Sequence, residues 1–201
     1  MRMTMALTVI AALIIAACGG PRDENAATAR GSAVVNGAPD AGVKGTPPPP
    51  APTTGAQYVA LVSGGDLYEI ESARLALQKA SSQQVKGLAE MILADHQRST
   101  RQLADATAQA SPPLAVGAVM SPDHQTGMDI LRRTSGRDFD TTWLRQQVIA
   151  HTHAFDTAAR YANTGEVPAL RRHAAGTLEA IQRHLTRARS LEAEALAQPT
   201  P

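Results

Sequence analysis

Residues 85–103, "VKGLAEMILADHQRSTRQL", decide the fold, because their apolar side chains return every three or four positions. Such a stripe predicts an amphipathic helix that packs one face against other helices. Asp95 and His96 interrupt it: His96 falls on the inner face or its edge, and Asp95 on the adjoining edge. The segment therefore predicts a packed helix that also carries polar side chains toward its neighbours.

The same periodicity predicts three further long helices and a short one. The long helices are expected over residues 57–80, from just after Ser81 to residue 110, over 138–163 and over 168–195, and the short helix over 122–133. Four amphipathic helices with one long crossover between the second and the third predict an all-α four-helix bundle.

Several helix starts are predicted from capping residues. Ser81 has the spacing to Gln84 of a capping box. Ser121 precedes Pro122, which suits the first position of the short helix. Asp138 is expected to cap the third long helix.

Glycines predict two local features. Gly64 and Gly65 weaken the first helix, and Asp66 behind them could cap a restart, so an irregularity is expected there. Gly165 is expected to end the third long helix in the left-handed conformation.

Composition supports a helical domain and argues against nucleic-acid binding. The chain has 201 residues, of which 43% are hydrophobic and 3% aromatic, with a formal net charge of +1. This favours helices packed through small residues over a sheet. From Ala56 onward there are fifteen basic and fifteen acidic residues, so no excess positive charge is available to bind a phosphate backbone.

The N-terminus predicts export and a lipid anchor. Residues 1–18, "MRMTMALTVIAALIIAAC", have a positive charge and a short apolar run, as signal peptides do. The end of this segment resembles a bacterial lipobox, in which Cys18, the single cysteine, is diacylated. Gly19 in the next position points to the outer membrane, with the domain facing the periplasm. An ordinary secretory signal with a chance cysteine is the alternative.

A tether is predicted between this anchor and the bundle. Residues 19–55 consist largely of Ala, Gly, Pro, Thr and Ser and include four consecutive prolines, so they are expected to be disordered. The bundle is expected over residues 56–196 and a disordered tail over 197–201. The tether would hold the bundle away from the lipid surface.

Each long helix offers an inward polar residue. By helical spacing, Glu69, His96, His151 and His184 fall on the apolar stripes of their helices, whereas His153 does not. Four such residues from four helices are the candidate site.

These motifs resemble a known bacterial family, domain of unknown function 4142, over about residues 57–191. The resemblance lies in the motifs "DLYEIESARLALQKASSQQVKGLAEMILADHQRS", "GRDFDTTWLRQQVIAHTHAF" and "LRRHAAGTLEAIQRHLTRARSL", with Glu69, Asp95-His96, Phe139-Asp140, His151 and His184. It implies a ferritin-like bundle exported to the envelope and implies little about activity.

The candidate site does not fit a di-iron centre. A ferritin-like centre needs a Glu three residues before each motif histidine, but Leu93 precedes His96 and Ile181 precedes His184. Two interpretations remain. The histidines with Glu69 could bind a single Zn, Cu, Ni or Fe ion.

The second interpretation needs no metal. Asp and His side chains could pair across the bundle in a buried hydrogen-bond network that fixes helix register. In this network Asp95 and Asp140 are expected as members. If a metal binds instead, Asp95 is expected either as a ligand or as the residue that orients His96, and Asp140 is expected to support the ligands from outside. The sequence favours the network.

Other residues suggest structural roles. His124, His153 and His173 are expected on the surface, and Trp143 and Phe155 in the core. No nucleophile setting or phosphate-binding loop is recognisable, so no catalytic residue is predicted.

The sequence thus predicts an envelope lipoprotein that presents a helical bundle in the periplasm in a binding or structural role. The alternative is a mononuclear metal-binding or redox protein. A third possibility is that apolar grooves of the bundle bind a peptide, a small molecule or a second copy of the chain. The partners expected are the membrane, through the N-terminal lipid, and an envelope protein or a second copy.

Overall fold

The computed structural model describes residues 51–197, in which all regular structure is α-helical. The helices are α1 (Gly55–Lys79), α2 (Gln83–Ala108), α3 (Pro122–Arg133), α4 (Gly136–Thr164) and α5 (Pro168–Ala197). The predicted all-α bundle with a short helix in the long crossover is therefore confirmed. The predicted signal peptide, Cys18, most of the predicted tether and the last four residues lie outside the described range.

The helices pack as a bundle with ferritin-like connections. α1 packs against α2, α4 against α5, α2 against α5, and α1 against α4, while α3 lies on α1 and α4. Residues from the end of α1, the start of α2, the start of α4 and the end of α5 share one core cluster. α1 and α5 therefore point one way and α2 and α4 the other, and the crossover runs the length of the bundle. No described helix is long and apolar enough to cross a membrane.

The predicted irregularity in α1 is wrong, because the helix runs unbroken through Gly64 and Gly65. A Cβ atom on Gly64 would lie 2.4 Å from the backbone oxygen of Val119, so this glycine permits close approach of the crossover. Ser63 donates a hydrogen bond to the backbone oxygen of Gly117 at 3.0 Å in the same contact. Ser63 and Gly64 thus mark where the crossover crosses α1.

The start of α2 also differs from the prediction. Ser82, not Ser81, is the N-cap, and its side chain accepts hydrogen bonds from the backbone nitrogens of Gln84 and Val85. Ser81 is engaged elsewhere: its backbone nitrogen and hydroxyl donate to the Asp140 carboxylate at 3.0 and 2.5 Å. The backbone nitrogen of Ser82 donates to the same carboxylate at 2.9 Å. Asp140 therefore fastens the α1–α2 turn to α4.

The predicted ends of α4 need two corrections. α4 begins at Gly136, and Asp138 lies in its first turn rather than at the cap, where its negative charge still suits the helix dipole. Gly165 has φ −61° and is not left-handed. A Cβ there would lie 2.4 Å from the Tyr161 ring, so the glycine leaves room for that ring. The predicted cap and start of α3, at Ser121 and Pro122, are confirmed.

The apolar core is divided into two clusters. The first contains Leu88, Ile92 and Trp143, and the second contains Leu103 and Tyr161. Trp143 is fully buried, as predicted, and Phe155 is partly buried against the second cluster. On α2, α4 and α5, the residues of the two clusters are separated along the chain by a stretch that contains, respectively, His96, His151 and His184.

Candidate metal centre

A polar layer lies between the two apolar clusters. His151 and His184 are each 1% exposed, and Asp66 and Glu69 are each 4% exposed. His96 is also largely enclosed, with 13% of its side chain accessible. The sequence predicted four of these five residues, and the structure adds Asp66.

Three of the predicted residues converge. One ring nitrogen from each of His96, His151 and His184 lies within 4.8 Å of the other two, and the ring centroids are 5.1 to 5.8 Å apart. Ligand nitrogens on a tetrahedral ion with bonds of about 2.0 to 2.1 Å lie about 3.3 Å apart. His151 Nε2 and His184 Nδ1, at 3.1 Å, are already close to that spacing.

Hydrogen bonds fix the proton on each of these two rings. His151 Nδ1 lies 3.0 Å from the backbone oxygen of Gln147, which can only accept, so Nδ1 carries the proton. His184 Nε2 lies 3.0 Å from Oδ2 of Asp95, and an ionised carboxylate can only accept, so Nε2 carries the proton there. In neutral rings, His151 Nε2 and His184 Nδ1 therefore both present lone pairs.

The 3.1 Å contact consequently joins two lone pairs unless a cation lies between them. That cation is either an extra proton or a metal ion. Burial lowers the pKa of His151 well below its usual range, and positive charge on His96 and His184 lowers it further. Burial, together with the charge of His96, lowers the pKa of His184 to about 4, despite the hydrogen bond that His184 donates to Asp95. The surroundings therefore disfavour the extra proton, and a metal ion suits the contact.

His96 is oriented by Asp66, the residue that the sequence predicted as a helix cap. Its Nδ1 lies 2.7 Å from Oδ1 of Asp66, so Nε2 is the nitrogen left for a ligand bond. Asp66 also accepts a hydrogen bond from the Thr100 hydroxyl at 3.2 Å. Burial alone lowers the pKa of His96, but the hydrogen bond and charge of Asp66 raise it overall. The expectation that Asp95 orients His96 is wrong, since Asp95 holds His184.

Asp95 links the layer to the protein surface. Besides His184, its carboxylate accepts hydrogen bonds from Arg98 at 2.6 Å and from Arg183 at 3.2 Å. Burial opposes ionisation, yet the bonds from His184 and Arg98 lower the pKa of Asp95 overall. The carboxylate is therefore ionised at neutral pH, as the proton assignment on His184 requires.

Glu69 lines the same cavity as the three histidines but lies outside the set of mutually close ligand atoms. Its Oε2 is buried and has no hydrogen-bond partner among the described residues. Burial raises its pKa to about 7, while the charge of His96 and a hydrogen bond from Gln147 lower it. A cation in the layer would favour the ionised carboxylate.

A cavity of about 540 Å³ gives access to the layer. Its lining includes Glu69 and the three histidines, together with residues of all five helices. A ligand in this cavity could therefore contact the histidines.

Two other predicted residues lie elsewhere. Asp140 belongs to a buried network, as one interpretation expected, but its partners are Ser81 and Ser82 rather than the histidines. His173, expected on the surface, is 8% exposed, and its Nδ1 lies 2.9 Å from the Tyr58 hydroxyl. It was misplaced because it lies at the edge of the α5 stripe, where burial depends on packing against α1 and α2.

Comparisons with known proteins agree with this fold. CopM in its Cu(I)-bound form is similar with a TM-score of 0.61 and 20% identity, over 71% of this chain and 98% of that chain. CopM in its Cu(II)-bound form gives a TM-score of 0.59 and 19% identity, over 70% of this chain and 97% of that chain. At such identities the likeness shows a shared fold. No curated protein matches the sequence. The model of the family described as "domain of unknown function (DUF4142)" matches residues 41–191, and the chain therefore belongs to that family.

Proposed function

We propose that the bundle binds one transition-metal ion tightly through His96, His151 and His184. The observation that carries this proposal is the 3.1 Å contact between His151 Nε2 and His184 Nδ1. Both nitrogens present lone pairs, because the opposite nitrogen of each ring donates to a fixed acceptor. A metal ion between them replaces repulsion with two ligand bonds, and His96 supplies a third.

The outer partners of the ligands support this proposal. Metal-bound histidines commonly donate their second N–H to a carboxylate or a backbone oxygen. Here Asp66 holds His96, the backbone oxygen of Gln147 holds His151, and Asp95 holds His184. Each ring is thus held with one nitrogen free, as a preformed site requires.

The ligand chemistry favours a divalent ion of intermediate softness. Imidazole nitrogens suit Cu(II), Zn(II) and Ni(II), whereas Cu(I) prefers thioether and thiolate ligands. Among the described residues that line the cavity there is no methionine or cysteine. The similar CopM structures carry copper, which makes Cu(II) the first ion to test. Glu69, which lines the same cavity and has an unpartnered buried oxygen, is a candidate for a further ligand or for a carboxylate that balances the charge.

We further propose that the bundle works in the cell envelope, anchored by a lipid on Cys18. The support is the N-terminal sequence, in which a short apolar run ends in Ile15-Ala16-Ala17-Cys18. In a bacterial host, Cys18→Ser should abolish labelling by a radioactive fatty acid. Labelling of that variant equal to the parent would refute the anchor.

Metal titration of purified protein tests the central proposal. The parent should carry Cys18→Ser and no polyhistidine tag, so that neither a thiol nor a tag binds the ion. Competition with a chelator of known affinity should give one tightly bound Cu(II) or Zn(II) per chain. Paramagnetic resonance of the Cu(II) form should show nitrogen ligands.

Variants distinguish this site from adventitious binding. His184→Ala should weaken the tight site by at least about a hundredfold, because one of three ligands is lost. His173→Gln is the matched control: it changes another buried histidine, which bonds Tyr58, and should leave the affinity unchanged. Equal affinity in His184→Ala and the parent would refute the proposal. A parent that binds no ion would favour the metal-free network.

A further inference from the structure

The cavity that the three histidines line is larger than a metal ion needs. Its volume is about 540 Å³, whereas a water molecule takes about 30 Å³ in the liquid, so an ion with its water ligands would leave most of the space unused. Leu61 and Val119, which are 36% and 73% exposed, line the same cavity as the buried Glu69. The space therefore extends from the protein surface to the polar layer, and its size suits a small organic molecule.

Apolar side chains form most of the cavity wall. They include Val62 and Tyr68 from α1, Ile149 and Ala154 from α4, and Ile181 from α5. Because these residues lie on packed helices, the wall is formed before any ligand binds. Such a wall favours an occupant with an apolar body, since the burial of apolar surface stabilises a complex.

The charge of the lining favours a cation. Five carboxylates and two guanidinium groups line the cavity. The two guanidinium groups, of Arg98 and Arg183, both donate to Asp95, so they do not offset the other carboxylates. An excess of negative charge attracts a positively charged molecule and disfavours an anion.

Glu69 is the carboxylate that can bind such a molecule. A hydrogen bond from Gln147 engages its side chain, but its Oε2 has no partner within residues 51–197. The neighbouring Asp66, by contrast, is bonded by both His96 and Thr100. A buried carboxylate oxygen without a donor is costly, and a charge-assisted hydrogen bond removes that cost. The last side-chain bond of Glu rotates easily, so the oxygen can turn toward the cavity that Glu69 lines.

We infer that the cavity binds a small organic amine, with the ammonium group donating to Glu69 and an apolar body of about the size of a phenyl ring against the cavity wall. This site goes beyond the proposed function, because amine binding needs no metal ion. The apolar wall, the negative lining and the unpartnered oxygen each favour this class of ligand.

Three probes with the same ring and different head groups test the inference. They are benzylamine, which is a cation at neutral pH, benzyl alcohol, which is neutral, and benzoate, which is an anion. The protein is the full chain with Cys18→Ser, kept free of metal by a chelator, so the result does not depend on the proposed metal site. Dissociation constants are measured from chemical-shift changes in nuclear magnetic resonance titrations.

Benzylamine should bind at least about tenfold more tightly than benzyl alcohol, because a charge-assisted hydrogen bond is about twice as strong as a neutral one. Benzoate should bind more weakly than either. Glu69→Gln should remove the advantage of the amine over the alcohol, since it removes the negative charge. Equal affinity for benzylamine and benzoate, equal affinity for benzylamine in Glu69→Gln and the parent, or no binding of benzylamine to the parent would overturn the inference.

A second variant pair tests the location of the site. Gly65 lines the cavity and has nothing within 4 Å of its Cβ position, so Gly65→Leu should fill part of the space and weaken benzylamine binding by at least about fivefold. Gly87→Leu is the matched control: Gly87 has the same free space, lies on α2 away from the lining, and should leave the affinity unchanged. Equal losses in the two variants would place the amine elsewhere and overturn the inference. If Glu69→Gln fails to fold, the order of the three probes and this pair still decide the question.

Discussion

Replacing Asp66 by Asn should weaken metal binding without unfolding the bundle. Asp66 is 4% exposed and lies 2.7 Å from His96 Nδ1, so it both positions the ring and contributes negative charge. Asn is nearly the same size and keeps an oxygen that can accept from the ring. The substitution therefore removes mainly the charge.

The expected loss follows from this geometry. Removing an outer partner of a metal-bound histidine costs about tenfold to a hundredfold in affinity, or about 1.4 to 2.7 kcal/mol. The lower half of that range is expected, because the amide oxygen can still hold the ring. The affinity should be measured by chelator competition with Cu(II) and Zn(II), and the free energy of unfolding by urea titration without metal.

Asp140→Asn is the matched control for a buried carboxylate outside the layer. Asp140 accepts three hydrogen bonds from Ser81 and Ser82, so its amide variant presents an N–H group to N–H or O–H donors. The free energy of unfolding should fall by about 2 kcal/mol, while the metal affinity stays within threefold of the parent. If Asp66→Asn also left the affinity within threefold, the idea that Asp66 prepares His96 for a metal would be wrong.

Further predictions concern packing and pH. Gly64→Ala should lower the free energy of unfolding by about 1 to 3 kcal/mol, because its Cβ meets the Val119 oxygen. Gly65→Ala has nothing within 4 Å and should be neutral or stabilising by up to about 1 kcal/mol; thermal unfolding compares the two, and equal melting temperatures would refute the close contact. Burial lowers the pKa of His173 below its usual 6.5, so the unfolded chain takes up the proton first as pH falls. The contribution of neutral, buried His173 to the free energy of unfolding is therefore present above pH 6.5 and is lost as the pH falls below that value. His173→Gln should reduce the fall in urea midpoint between pH 7 and pH 5.5. An unchanged fall would contradict this reading.

Periodicity was sufficient to predict the helices and most of the inner layer. His96, His151 and His184 each occur at a position where helical periodicity predicts an apolar residue. In the structure His151 and His184 are buried and His96 is largely enclosed. This succeeds because a residue on the buried face of a helix stays buried whichever neighbour packs there. Glu69 was predicted in the same way and is 4% exposed.

Pairing between helices could not be predicted in the same way. Asp95 is adjacent to His96 in the chain, yet it bonds His184, which lies on another helix. Adjacent side chains on a helix point about 100° apart, so they can contact different neighbouring helices. The register between α2 and α5 decides the partner, and that register depends on packing along both helices.

Asp66 shows how a local signal can mislead. Two glycines followed by Asp favour a helix break, but the favourable packing of α1 against the crossover outweighs their poor helix propensity. A signal for the correct role was present, because Asp66 lies three residues before Glu69 and so shares its face.

The separation of the core into two apolar clusters has a consequence for cooperativity. Each cluster can hold its own half of the bundle, and the polar layer between them contributes little apolar contact to join the halves. An ion bound by ligands from α2, α4 and α5 would cross-link three long helices at their middle. Metal binding would then couple the local opening of one half of the bundle to that of the other. The metal-bound bundle would therefore unfold more cooperatively than the metal-free one.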